Sequence, residues 1–212
     1  MAVKREGPTH RERQALATKQ QIAEAGRRLF AERGYVATTI TAISEAADIP
    51  VPTIYSAFGS KAAILNDIIR RAVVPLDVNR QHELAMADPD PVRGLRRLAT
   101  LQREQFEAMY DVMTVTYEAI RIDPEIAARL KEIMASRERA FRRHIEAIAD
   151  HLAPGVTVDD ALDIYITMVM PEIYGSFVHE RGWSADRFET WLADNLVWQL
   201  LGACDRPAVE HS

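Results

Sequence analysis

Apolar side chains in this chain recur every three to four positions, as in Ile22, Ala25, Leu29 and Phe30, and again in Leu95, Leu98, Leu101 and Phe106. That spacing matches the α-helical turn and lines such groups along one helix face. No run of alternating β-branched residues competes with it, so a core forms here by packing helix on helix. Gly and Pro divide the pattern at Gly34, Gly59, Asp88-Pro89-Asp90-Pro91, Asp123-Pro124, Pro154-Gly155 and Gly182. The punctuation predicts an all-α chain of about nine helices, at 14–33, 40–47, 51–57, 60–86, 92–108, 110–121, 124–152, 158–181 and 185–203. Residues 1–12 and 205–212 read as tails. Pro171, inside the segment 158–181, is expected to kink it.

Three helices fall within 14–57, and two of them are too short to be stable alone. They must form a compact three-helix unit held by mutual packing. The division expected is 1–59 for an N-terminal domain and 60–212 for a helical body, with the 60–86 helix linking the two. Charge divides the same way. Residues 1–80 hold 12 Lys and Arg against 8 Asp and Glu, whereas 81–212 hold 14 against 23. A basic head on an acidic trunk suits a chain whose first third meets a polyanion.

Other classes are disfavoured. No run of 18 apolar residues occurs, so no membrane span is expected. The basic start lacks an apolar stretch after it, so no secretory signal is expected, and a cytoplasmic location fits. Cys204 is the only cysteine, which rules out a disulfide within the chain and a cysteine-based zinc site. Phosphate-loop, dinucleotide, nucleophile-elbow and HExxH motifs are missing, so neither enzyme activity nor a cofactor or metal is expected. The histidines are scattered; His144 and His151, seven apart, read as structural.

The stretch from Phe30 to Lys61 carries the most information. Gly34 is placed to end a helix in a left-handed conformation, and Thr39 to cap the next. Ile40, Ile43 and Ala47 then face inward, and Ala46-Ala47-Asp48 makes a tight turn. Ile54 and Phe58, four apart, anchor a third helix from one side. Val51, Thr53, Tyr55, Ser56 and Ala57 are left for turns or the outer face. Two short helices joined tightly, the second presenting small and polar groups, suit a DNA major groove.

This stretch resembles the DNA-binding domain of the tetracycline-repressor family. The likeness covers residues 15–65 and rests on Phe-Ala-Glu-Arg-Gly-Tyr, Ala-Thr-Thr-Ile, Ala-Asp-Ile and Thr-Ile-Tyr-x-x-Phe-Gly-Ser-Lys in order. The resemblance implies a helix-turn-helix head and a helical body for ligand binding and dimerisation. It implies a homodimer on a pseudo-palindromic double-stranded operator, released by a small, mostly apolar effector. By position, Thr39, Thr41, Tyr55 and Lys61 would meet phosphates, Thr53 a base or phosphate, and Ser56 the same surface. Val51 would meet a thymine methyl group, and Lys4, Arg5, Arg11 and Arg13 would form a basic arm. Pro50, Val51 and Ala57 depart from the polar residues many members carry there. Those departures motivate the alternative, a small-molecule-binding helical protein with weakened or lost DNA binding.

For the effector, larger groups on the inner helices are the candidates: Phe106, Met109, Tyr110, Met113, Tyr117, Tyr165 and Met168. Met109, Met113 and Tyr117 follow at four-residue steps and are expected to line one stripe. The dimer surface is expected on the last two helices, from Ile164, Met168, Ile173, Tyr174, Phe177, Trp191, Leu192, Leu196, Trp198 and Leu200. The resemblance places a four-helix bundle between subunits there.

Overall fold

The computed structural model describes residues 9–202, and every regular element among them is helical. The order is α1 (His10–Ala37), α2 (Ile40–Ala47), α3 (Val51–Phe58), α4 (Lys61–Val73), α5 (Val78–Met86), α6 (Pro91–Ala119), α7 (Pro124–Ala147), α8 (Val158–Met168), α9 (Pro171–Tyr174) and α10 (Ala185–Leu201). Lys4, Arg5 and Cys204 lie outside the described residues. Among the described residues, no helix is long and apolar enough to cross a membrane.

Four expectations are corrected, each by a local cause. The first helix starts at His10, so residues 10–12, Arg11 and Arg13 are helical rather than part of a tail or arm. A reciprocal cap fixes that start: the Glu12 N–H donates to the Thr9 hydroxyl (3.3 Å), and the Thr9 N–H donates to the Glu12 carboxylate (2.7 Å). Gly34, with φ 78° and ψ 171°, interrupts α1, but a further turn runs on to Ala37. The segment 60–86 is not one helix. Pro75 removes an N–H donor, the chain tightens into a 3₁₀ turn at Val74–Leu76, and Asp77 takes φ 43° before α5 begins. Pro171 breaks its helix rather than bending it. The residue before a proline is driven out of the α region; Met170 is extended, with ψ 140°, and α9 passes into a π-helical turn at Gly175–Glu180.

The chain divides into two compact units. One comprises residues 9–72 with 111–130, and the other 73–110 with 131–202. The passage inside α6 lies beside Met109, whose φ of −146° departs from helical geometry. The expected ends at 108 and 110 fall on that irregularity, although helical hydrogen bonding bridges it.

The first unit is built on Ile22, Leu29, Phe30, Tyr35, Ile43, Ile54, Ile64, Leu65 and Ile68, all buried. Each aliphatic or aromatic group so enclosed contributes about 1.5–3 kcal/mol relative to exposure, which holds the eight-residue helices α2 and α3. Gly26 lets α4 approach α1: a Cβ there would lie 3.1 Å from the Ile64 side chain. The second unit buries Leu95, Leu98, Phe106, Phe141, Ile145, Leu162, Tyr165, Phe188, Leu192, Leu196 and Leu200. Within it α8 packs on α10, and Arg103 and Thr100 of α6 both bond Glu189 of α10 (2.8 and 2.6 Å).

Candidate nucleic-acid interface

The head's outer face follows from how its short helices are capped. Thr39 caps α2 by accepting from the Ala42 N–H (3.1 Å). Asp48 ends α2 in the left-handed conformation, φ 52°; aspartate tolerates this better than most side chains. The turn is tightened by the Ser44 hydroxyl, which donates to the Ile49 carbonyl (2.6 Å). Pro50 supplies no side-chain cap to α3, yet its carbonyl accepts from the N–H groups of Thr53 and Ile54 (2.9 and 3.2 Å). The helix start is therefore closed by backbone alone.

Only Ile54 of α3 is fully buried. Phe58 is half-buried, with the Lys19 ammonium 5.4 Å from its ring centre. Thr53, Tyr55 and Ser56 are exposed, as are Thr39 and Thr41 at the start of α2; Val51 is intermediate. Tyr55 keeps 52% of its surface open, which is high for an aromatic side chain. One edge of α3 is thus anchored, and the other offers hydroxyls and a phenol.

Lys61 behaves differently from the expectation. Its ammonium is turned inward rather than toward a surface phosphate. It donates to the carbonyls of Tyr35 (2.6 Å) and Thr38 (2.9 Å) and sits 4.2 Å from the Tyr35 ring centre. Burial lowers its pKa from the ordinary lysine value, against the opposing pull of Asp123 and Glu118. Lys61 thus braces the connection between α1 and α2, while Ser60 caps α4 by accepting from the Ala63 N–H (3.0 Å).

The first unit also holds a set of ties that sequence periodicity does not reveal. Arg27 makes a two-pronged ion pair with Asp111, both bonds 2.8 Å. Glu118 accepts from the N–H groups of Tyr35 and Val36 (3.0 and 3.2 Å), and the Tyr35 phenol donates to Asp123 (2.6 Å). These partners lie more than eighty positions apart in sequence, so no local spacing announces them.

The effector candidates make several separate contacts. Phe106 stacks on Tyr174 with ring centres 4.6 Å apart, and Tyr110 stacks on His179 at 4.3 Å. Tyr165 instead packs on Phe141 at 3.9 Å. Met109 is buried at the break in α6, whereas Met113, Tyr117 and Met168 are half-buried, the first two of these in the other unit. The dimer candidates also narrow: Tyr174, Leu192, Leu196 and Leu200 are core residues of their own chain, while Trp198 stays exposed; Ile166 and Met170, outside the expected set, are exposed as well.

Comparison with known proteins accords with this geometry. Residues 22–68 match the family model described as bacterial regulatory proteins, tetR family. The HTH-type transcriptional repressor AcnR of Corynebacterium efficiens is 27% identical over 158 residues, covering 72% of this chain and 78% of that protein. An uncharacterised HTH-type transcriptional regulator of Bacillus subtilis, YvkB, is 21% identical over 164 residues, covering 76% and 82%. Among solved structures, NalD, the secondary repressor of the MexAB-OprM multidrug efflux pump in Pseudomonas aeruginosa, superposes with a TM-score of 0.71 at 19% identity, over 89% of this chain and 98% of that one. That last likeness speaks to the fold. These relatives do not favour the alternative of a binder that has lost its DNA function. A capped two-helix turn with an exposed second helix, matched across that turn by the family model, gives residues 22–68 the DNA-binding head of the tetR family of bacterial regulatory proteins and makes the chain a DNA-binding transcriptional regulator.

Proposed function

We propose that this regulator is a cytoplasmic repressor that binds a pseudo-palindromic operator as a homodimer and leaves it when a small molecule occupies the body. In this reading residues 1–59 carry DNA contact, and 60–212 carry dimerisation and sensing. The observation that carries it is the outer edge of α3, with Thr53, Tyr55 and Ser56 exposed on a helix anchored through Ile54. Thr39 and Thr41 extend that edge at the start of α2, and Val51 offers the one apolar contact suited to a thymine methyl group. Lys61 acts by holding the α1–α2 connection in place behind the contact face. Two such heads must present α3 about 34–36 Å apart to enter successive major grooves. An effector that binds better to another spacing lowers operator affinity by that difference. Nothing in this reading calls for catalysis.

The test is selection of bound duplexes from a random pool, followed by fluorescence anisotropy on the winners. Two half-sites separated by one helical turn are expected. Affinity is expected to fall steeply between about 50 and 200 mM salt, as phosphate contacts release counterions. Tyr55→Phe removes one phenol–phosphate bond and is expected to weaken binding by about tenfold for every sequence alike. A change in preferred bases in that variant overturns the phosphate role of Tyr55. Failure to select any duplex overturns the repressor reading.

A further inference from the structure

The core of the second unit encloses a polar cluster whose hydrogen-bonding capacity is not met. His82 of α5, Gln102 of α6 and His144 of α7 are all nearly enclosed, at 7%, 1% and 1% exposure. Among the described residues, His82 Nδ1, Gln102 Nε2 and both ring nitrogens of His144 have no hydrogen-bond partner. Buried polar atoms left unpaired are costly and rare, and several in one place call for an explanation.

These groups are neighbours. Arg137 of α7 donates to the Gln102 amide oxygen and lies 5.4 Å from the Phe141 ring centre. The His82 ring meets Phe141 edge-on at 4.9 Å, and Phe141 packs on Tyr165 of α8 at 3.9 Å. Gly94 of α6 lets α5 and His144 come close: a Cβ there would lie 2.9 Å from the Ala85 carbonyl oxygen and 3.5 Å from the imidazole Cε1. Four helices of one unit therefore converge on this spot. The permanent charges acting on His82 are the guanidiniums of Arg137 and Arg143. A neutral imidazole offers one N–H donor and one acceptor, and Gln102 adds an amide donor. Donors beside a guanidinium, walled by Phe141 and Tyr165, complement an anion with a flat or short apolar body.

We propose that His82, Gln102, Arg137 and His144 form the recognition site for a small organic carboxylate, whose oxygens take the unpaired donors while its body lies against Phe141 and Tyr165. The proposal rests on the reading of the chain as a ligand-responsive regulator and supplies the chemical class of its effector. It moves the site away from the Phe106 and Tyr110 aromatics and onto the groups with unmet hydrogen-bonding capacity.

The experiment uses the full-length chain without DNA. Calorimetry and thermal shift are measured with benzoate and hexanoate, their uncharged counterparts benzamide and hexanamide, and benzylamine. Saturable binding of one or both carboxylates is expected, with the amides at least about tenfold weaker and the amine silent. His144→Leu and Gln102→Leu are expected to weaken carboxylate binding by about tenfold or more. His144→Leu, which removes two unpaired nitrogens, is expected to melt higher than the parent when ligand-free, so loss of binding there is not loss of fold. Equal binding of acid and amide, no binding of either carboxylate, or full binding by His144→Leu overturns the proposal. Operator affinity of the ligand-free chain is measured separately. An intact, salt-sensitive operator complex with no carboxylate response defeats this site alone, whereas a carboxylate response with no operator complex defeats the repressor reading.

Discussion

Single side chains here show how burial redirects chemistry that looks obvious in a sequence. Lys61 reads as a helix-start cation awaiting a phosphate, yet two backbone carbonyls and the Tyr35 ring claim its ammonium. His144 reads as one of a loosely spaced pair, yet it is enclosed, while His151 is exposed. Burial pushes the His144 pKa down to about 4; burial, aided by Arg137, His144 and Arg143, does the same for His82. Both imidazoles are therefore neutral in the folded chain at pH 7, and the unfolded chain takes up protons first as pH falls below about 6.5. Their influence leaves stability intact above that value and erodes it as pH drops toward 4, by on the order of 3 kcal/mol for each ring. Thermal melts between pH 7 and 4.5 are expected to fall more steeply for the parent than for His144→Leu. Parallel curves for the two proteins would show that His144 is not held neutral.

At the scale of helices, the breaks matter more than the helices themselves. Periodicity finds α2, α3 and α10 almost to the residue, because each is short or bounded by a cap visible in sequence: Thr39, Gly59 and Ser184. It misjudges 60–86 and 158–181, where an unbroken apolar rhythm runs straight through Pro75 and Pro171. Local backbone chemistry overrides rhythm at both places. Gly34 is the most demanding junction. Its φ of 78° with ψ of 171° is a conformation nearly reserved for glycine, and a Cβ there would lie 2.7 Å from a Glu118 carboxylate oxygen. Gly34→Ala is expected to cost about 1–3 kcal/mol, through strain and through loss of the Glu118 bonds to Tyr35 and Val36. Urea denaturation measures this, and a change below about 0.5 kcal/mol would mean that the turn relaxes freely.

For the whole molecule, the question is what two copies would share in the proposed dimer. Much of the apolar surface that the sequence of the last helices offers a partner is spent inside the chain itself, on Leu192, Leu196 and Leu200. What stays outside is Trp198 on α10, 53% exposed, with Ile166 on α8 and Met170 just beyond it. An exposed tryptophan is a usual anchor of an interface. Trp198→Arg is expected to raise the dimer dissociation constant at least about thirtyfold, read by sedimentation as a shift toward monomer at micromolar concentration. Operator affinity is expected to fall with it, since a lone head grips one half-site. A variant that stays dimeric would move the interface elsewhere.

The amino-acid order alone determined the helical class, the three-helix head and the outward edge of α3, because those depend on contacts within a few turns of chain. Capping, periodicity and turn chemistry are local, and local physics is written in consecutive residues. Tertiary structure decided where Lys61 spends its charge, which apolar groups remain for a partner, and which polar atoms are enclosed without one. Those outcomes depend on residues brought together from distant positions, as Gln102 is with Arg137 and Tyr35 with Asp123. Only the closed fold sets the burial that fixes their energies.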